Sequence, residues 1–457
     1  MAEVEDYIWI RNQFKGVNLP DLRLVDRLEE VACRVMAKPD SSIPKQNREW
    51  KDIKGAYRFY DSKKVQFCRL IQPHINQTKK KVAKMKQILS IQDTCFISYG
   101  EHVSVVGLSD IGGEAGGKGI ILHTALAVYP GQKDPEVVGL LDQHINRRTT
   151  KVDKDETYRE RQERWRESKI WEETSQRISL NAETQIIEIM DREGDVFDVI
   201  NNCISLKHDF VIRAKNDRFL DVVSDEKLFT FVRNLKSQGT LTLRIKKRPN
   251  QIPRDAILDV AFSTITIKGP KSRKKEIIKC VAVYVVEKHP PKGQEPLGWI
   301  LLTSVGVNSF EDACQIIEWY KCRWIIEEYH KAIKSGCKVE ERQLKTVERL
   351  ENFLGIANIV ALRLLKLRDA ARNTPHILAR DAIDPVKVNI LIKYRGLKKK
   401  DITVYDYYRE VAKIGGFIGR KSDGEPGWQT LWKGEMELTQ IYVGAKLAFN
   451  EKLMGKG

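Results

Sequence analysis

The sequence predicts an α/β protein: a mixed sheet with flanking helices, extended by a β-rich insertion and bracketed by helical N- and C-terminal regions. Three observations carry this. Short apolar, β-prone runs alternate with helical stretches between about residues 88 and 213, a pattern that builds helices onto a central sheet. Residues 220–306 switch to strand-like alternation, as in Thr240–Arg244, Ala261–Lys268 and Cys280–Val286, which on a strand sends successive side chains to opposite faces. Both ends return to helical spacing, with Leu24, Leu28, Val31 and Val35 near the start and an apolar helix from Phe353 to Leu367.

Taken in order, residues 1–68 read as a helical module. Arg23, Arg27 and Arg34 lie on faces adjacent to its apolar stripe, and Pro39 and Pro44 interrupt before Arg48–Phe59, where basic and aromatic residues interleave. The run Ile88–Ser98 reads as a strand with Asp93 inside it. A glycine-rich turn, Gly112–Gly119, lacks the Gly-Lys-Ser/Thr ending of a nucleotide phosphate loop, so it reads as a join into the β-prone run Ile120–Tyr129, which Glu136–Leu141 follows. A charged helix over 151–180 carries Trp165, Lys169 and Trp171. The strand Gln185–Met190 ends at Asp191-Arg-Glu-Gly-Asp195, followed by a helix over Val196–Ser205 and a strand at Asp209–Arg213. The insertion has basic loops at Lys246–Arg248 and Lys271–Lys275 and closes at Gly298–Ser304. Ser309 and Asp312 then form a capping-box pattern, with Asp in place of the usual Glu. Residues 375–400 are polar and read as mobile, and glycine-rich turns at 415–419 and 424–432 precede a last helix over about 429–454. The divisions expected are 1–68, 69–370 and 371–457.

The 457 residues include 79 Lys and Arg against 62 Asp and Glu, a net charge of +17. Such an excess favours a polyanionic partner, nucleic acid first. No apolar run is long enough to span a bilayer, and Met1–Asp6 lacks the basic-then-apolar order of a signal peptide. Eight cysteines without a Cys-x-x-Cys pair read as reduced thiols of a cytoplasmic protein rather than as disulfides or a zinc site.

The densest chemistry lies in Ser309–Ser335, where Tyr320, Arg323, Glu327 and Lys334 fall at offsets 0, 3, 7 and 14. At about 100° per residue these share a helix sector about 60° wide. Asp93 and Asp191 are positioned to complete an acidic site with Glu327: one inside an apolar strand, where an unpaired carboxylate is costly, the other where a strand becomes a turn. Asp195 and Glu328 are rivals for the last two roles, although Glu193 and Asp195 also suit capping of the next helix. Three carboxylates from separate elements match the need of phosphodiester chemistry for divalent cations held by oxygen ligands. The order strand-Asp, strand-end-Asp, helix-Glu is that of an RNase H-like core.

With these residues in place, the chain resembles the cut-and-paste DDE transposases of bacterial insertion sequences, in particular the group containing the Tn5 transposase. The resemblance rests on the Tyr-(2)-Arg-(3)-Glu-(6)-Lys signature at Tyr320, Arg323, Glu327 and Lys334. It extends to Asp191–Asp195, Gly55–Phe59, Phe210–Lys215, Pro290–Gly293 with Trp299–Ser304, and Gly415–Phe417. It implies that Asp93, Asp191 and Glu327 bind two Mg²⁺ ions, with Mn²⁺ able to substitute. It implies nicking by water, hairpin formation and opening at the transposon end, and 3′-OH strand transfer into target DNA without a covalent protein–DNA intermediate. Trp299 would stack on a flipped base, although an ordinary core aromatic fits the same position. Tyr320, Arg323, Lys334, Arg213 and Lys215 would hold DNA. Residues 1–68, with Arg23, Arg27 and Arg58, would recognise the double-stranded end, and the C-terminal helices would join a homodimer in the synaptic complex. A cytoplasmic, nucleoid-associated protein with no membrane partner is the corresponding expectation.

Overall fold

The structure is a computed structural model that describes residues 5–100, 104–112, 117–131, 135–148, 167–178, 180, 183–221, 226–245, 254–270, 273, 275–373, 375–420 and 423–454. Trp165 and the basic loop at Lys246–Arg248 lie outside the described residues.

The N-terminal module is α1 (Glu5–Phe14), α2 (Leu22–Ala37), a single turn α3 (Ile43–Gln46) and α4 (Trp50–Asp61). The apolar spacing read from the sequence is what buries α2, through Leu28, Val31, Ala32, Val35 and Met36, and the side chain of Asp21 caps it by accepting from the Arg23 amide. The next helix, α5 (Phe67–Val82), leads into β1 (Gln87–Ser98), followed by β2 (Ser109–Asp110), β3 (Lys118–Tyr129) and β4 (Glu136–Asn146). Then come α6 (Lys169–Arg177), β5 (Gln185–Met190), α7 (Phe197–Ser205), β6 (Asp209–Arg213) and α8 (Leu228–Arg233). The insertion supplies β7 (Gly239–Ile245), β8 (Arg254–Lys268), β9 (Ile277–Val286) and β10 (Gly298–Thr303).

These strands form one ten-stranded sheet in the order β2-β3-β1-β5-β6-β10-β9-β8-β7, with β4 also paired to β3. Within it β1, β5 and β6 run parallel, while β3 and β4 are antiparallel to their neighbours. The five-strand order β4-β3-β1-β5-β6 with a parallel half is an RNase H-like core. The insertion does not stand apart from it. β10 pairs antiparallel with both β6 and β9, so the insertion prolongs the same sheet.

Alternation along the strands sorts the core into layers. Ile91, Ile187, Ile189, Val211 and Leu301 point to the face that packs with the N- and C-terminal helices. Met190, Phe210, Ile212 and Leu302 point to the opposite face, against α6, α7 and α8.

Three expectations need correction. The stretch Ser309–Ser335 is not one helix: it forms α9 (Phe310–Lys321), breaks at Cys322–Arg323, resumes as α10 (Trp324–Lys331) and ends in a π-turn over Ala332–Gly336. The capping box at Ser309 and Asp312 does form. Residues 375–400 are largely helical, with the short α12 (Ala379–Ala382) and α13 (Pro385–Tyr394), because Ala379, Val388 and Leu391 bury against the C-terminal core. Asp195 and Glu193 do not cap α7, whose N-cap residue is Val196 with no side-chain bond.

Between α10 and α12 runs α11 (Val347–Asn373), and α14 (Val404–Ile414) and α15 (Trp428–Met454) close the chain. Backbones of the last two touch at glycines. A Cβ on Gly434 would sit 1.8 Å from the Val411 carbonyl oxygen, and one on Gly415 1.9 Å from that of Thr430. Since backbone cannot yield as a flexible side chain can, Gly434→Ala is expected to destabilise the fold by about 3 kcal/mol. The check is the urea midpoint, and an unchanged midpoint would refute the close approach.

Candidate active site

The strand register explains why the two aspartates meet. β1 and β5 pair from Gln87↔Gln185 to Ile91↔Ile189, a constant offset of 185 − 87 = 98. Asp93 and Asp191 are separated by the same number, 191 − 93 = 98. Asp191 therefore leaves the end of β5 in line with the register position of Asp93 on the neighbouring strand, paired strands lying about 4.8 Å apart. Both carboxylates sit toward the C-terminal edge of the parallel half, where open α/β sheets commonly bind ligands. Asp191 then caps a 3-10 turn, Arg192–Gly194, by accepting from the Glu193 amide at 2.7 Å.

Strand alternation also decides what Asp93 faces. It shares the side of Ile91 and Cys95, the face covered by α10, which packs across β1. Arg323, just ahead of α10, hydrogen-bonds Glu327, and its Nη1 lies 3.9 Å from Asp93 Oδ2. The other oxygen, Oδ1, accepts the Thr94 amide at 2.8 Å. Burial first, then the charges of Asp191 and Glu327, push the Asp93 carboxyl up to about 7, against the opposing pull of Arg323 and the Thr94 amide. Three carboxylates thus share one neighbourhood with one guanidinium among them.

They are not in coordinating contact. Among the described residues no three His, Cys, Asp or Glu side chains are grouped closely enough to hold a metal ion, and Arg323 holds Glu327 and faces Asp93. The donor chemistry nonetheless fits a hard divalent cation. All three groups offer carboxylate oxygens, the ligands Mg²⁺ prefers, and the Asp93 carboxyl, raised first by burial and then by the charges of Asp191 and Glu327, is one whose ionised form a cation would stabilise.

The remaining predicted residues divide. Trp299 on β10 is half-buried, its ring centroid 6.1 Å from that of Tyr320 at an interplanar angle of 59°. Arg213 at the end of β6 donates to the Gly298 carbonyl at 3.2 Å, and the Tyr320 phenol interacts with it. Burial lowers the Arg213 pKa and raises that of Tyr320. Lys334 is paired with Glu340, its Nζ 3.2 Å from Oε1. It lies within the π-turn closed by the Cys337 amide on the Ala332 carbonyl at 3.0 Å, which adds a residue to that turn. Lys215 is exposed, and its amide, with that of Asn216, binds Asp195 Oδ2. Asp195, the rival for Asp191, is buried against Arg218 and locks this loop. In the N-terminal module Arg23 pairs with Asp21 at 2.9 Å and Arg27 with Glu30 at 2.7 Å, while Arg58 is exposed on α4.

Sequence reading missed His330. Its Nδ1 lies 4.0 Å from Asp93 Oδ2, and burial pushes its pKa down to about 3, so the ring is neutral at ordinary pH. The available signal was spacing: His330 follows Glu327 by three residues on the same helix.

Comparison with known families gives three matches in chain order. Residues 6–65 match the transposase DNA-binding family, residues 147–363 the transposase DDE domain, and residues 359–453 the transposase Tn5 dimerisation domain. Asp191 and Glu327 lie inside the DDE match and Asp93 precedes it. With the RNase H-like sheet beneath the carboxylates, these matches make the protein a DNA transposase; the chain belongs to the Tn5-type DDE transposases.

Proposed function

We propose that the protein excises its element by nicking each transposon end, closing and reopening a hairpin, and joining the freed 3′-OH to target DNA. Asp93, Asp191 and Glu327 are the metal-binding residues in this reading. The shared 98-residue offset of strand register and aspartate spacing is the observation that carries it. When bound, a pair of Mg²⁺ ions, or Mn²⁺ in their place, would activate the attacking oxygen and stabilise the leaving one. Arg323 keeps the carboxylates partly neutralised until DNA arrives, then exchanges them for a phosphate, which its guanidinium binds well. Tyr320 and Arg213 hold neighbouring phosphates, and Lys334 joins them by leaving Glu340. Lys215 extends this track. Water is the first nucleophile and DNA hydroxyls the later ones, so no covalent protein–DNA intermediate forms.

Residues 1–68 bind the end through Arg23, Arg27 and Arg58, residues 69–370 carry the chemistry, and residues 371–457 pair two copies in the synaptic complex. The work takes place on the nucleoid in the cytoplasm. No described helix is long and apolar enough to cross a membrane.

The test incubates protein with its own element's end DNA and Mg²⁺ and resolves the products on a denaturing gel. Hairpin-ended fragments are expected, and linear nicked products alone would reject the scheme. Trp299→Ala is expected to slow hairpin closure by roughly 5- to 150-fold, the loss of one base stack worth about 1–3 kcal/mol. First-strand nicking should stay near normal. An equal loss in both steps would make Trp299 a core aromatic instead.

A further inference from the structure

His330 has no part in the scheme above, yet it stands between Asp93 and a chain of buried polar groups. Its Nε2 lies 3.4 Å from Thr124 Oγ1 on β3. Thr124 Oγ1 accepts from Gln143 Nε2 on β4 at 3.0 Å, and the same amide group reaches Tyr329 OH at 3.2 Å. Gln143 Oε1 accepts from Asn358 Nδ2 on α11 at 2.8 Å, and Tyr329 OH donates to the Asn358 carbonyl at 3.0 Å. Thr124, Gln143, Tyr329 and Asn358 are all buried, so these bonds have no water to replace them.

The directions follow from the donor inventory. Gln143 spends its amide hydrogens on Thr124 and Tyr329. Thr124 therefore already accepts, and among the described hydrogen bonds its own hydroxyl hydrogen has His330 Nε2 as its acceptor. A neutral ring that accepts at Nε2 carries its hydrogen on Nδ1, the nitrogen facing Asp93 Oδ2.

We propose that His330 is a positioning residue for Asp93. Its Nδ1–H takes Oδ2 when Arg323 departs, and so sets the carboxylate for metal binding; this rests on the reading of Asp93 as a metal ligand. The present 4.0 Å separation must close to about 3 Å for a hydrogen bond. Arg323, 3.9 Å from that oxygen on another side, competes for it. Thr124 Oγ1 orients the imidazole and is itself fixed through Gln143 on β4 and Asn358 on α11. Partners that orient metal-binding groups typically contribute 10- to 100-fold in metal affinity.

Two measurements test this on the full-length protein. In the metal-free protein, long-range ¹H–¹⁵N correlation of the imidazoles should show His330 as the Nδ1–H tautomer, and an Nε2–H tautomer would overturn the proposal. In nicking of end DNA, the Mg²⁺ concentration for half-maximal rate should rise roughly 10- to 100-fold in His330→Ala and His330→Gln. It should return near the wild-type value in His330→Asn, whose amide nitrogen occupies the Nδ1 position. Equal Mg²⁺ requirements in wild type and His330→Ala, or no rescue by a folded His330→Asn, would overturn it. Asp93→Asn separates the two levels. If that variant nicks at the wild-type rate, the reading of Asp93 itself fails; if it is inactive, the His330 series judges the positioning role alone.

Discussion

Asp191→Ala is expected to lose strand nicking by at least about 10³-fold while binding transposon-end DNA with near-normal affinity. The size follows from the chemistry. Metal stabilisation of developing oxyanions supplies several kcal/mol, and each 1.36 kcal/mol is tenfold in rate, so three decades is the loss expected when a ligand is removed. End binding should survive because it is assigned to the N-terminal helices, whose arginines lie on α2 and α4. The fold should survive as well. Asp191 is half-exposed and, among the described hydrogen bonds, accepts only from the Glu193 amide, so its loss costs a turn cap. Asp195→Ala is the paired control. Its carboxylate is buried against Arg218 and two backbone amides, and its removal should lower stability before it touches chemistry. Gel shift and nicking assays on both variants check this. Cleavage that persists in Asp191→Ala would place the acidic site elsewhere.

The contrast between these two aspartates shows what the sequence could and could not disclose. Both occupy one five-residue run, and residue type cannot separate a site carboxylate from a structural one. Strand pairing distinguishes their settings, since the 98-residue offset aligns Asp191 with Asp93 and leaves Asp195 beyond the sheet. The strands themselves were legible because alternation and apolar runs reflect local burial, as at Gln185–Met190 and Asp209–Arg213. Two features were not. The break at Cys322–Arg323 and the π-turn at Ala332–Gly336 leave no mark on helical periodicity, so the segment reads as one continuous helix. The pairing of β10 with β6 joins residues about 90 positions apart, and nothing in the alternation of 220–306 says whether those strands extend the central sheet or form their own. His330 was hidden for a related reason. A histidine on an apolar helix face reads as core, and its three-residue spacing from Glu327 does not by itself reveal Thr124 and Asp93 on its two sides.

The raised Asp93 pKa makes a second large prediction, for the metal-free protein. The sign is set by comparing proton binding in the two states. An aspartate ordinarily titrates near 3.8 and Asp93 in the fold near about 7, so between those values the native state holds a proton that the unfolded chain has released. Stability from this group is full below pH about 4, falls by up to about 1.4 kcal/mol per pH unit through the window, and is lost above about 7. The total is of order 4 kcal/mol. Buried neutral histidines work in the other direction. His74 and His330 are both pushed down to about 3, so they withdraw stability as pH falls below the ordinary histidine range. The bare pH profile therefore mixes opposing trends, and the clean quantity is the difference between wild type and Asp93→Asn. By urea unfolding without divalent ions, Asp93→Asn should gain stability relative to wild type between pH 4 and pH 8 and level off beyond. Mg²⁺ binding to the same carboxylate must displace its proton, so at pH 6 wild type should release nearly one proton on Mg²⁺ addition with DNA bound, and Asp93→Asn none. A difference that stays flat across pH 4–8 would mean that Asp93 is an ordinary carboxylate, already compensated by Arg323. The buried, destabilised anion that a divalent cation would stabilise here would then be absent.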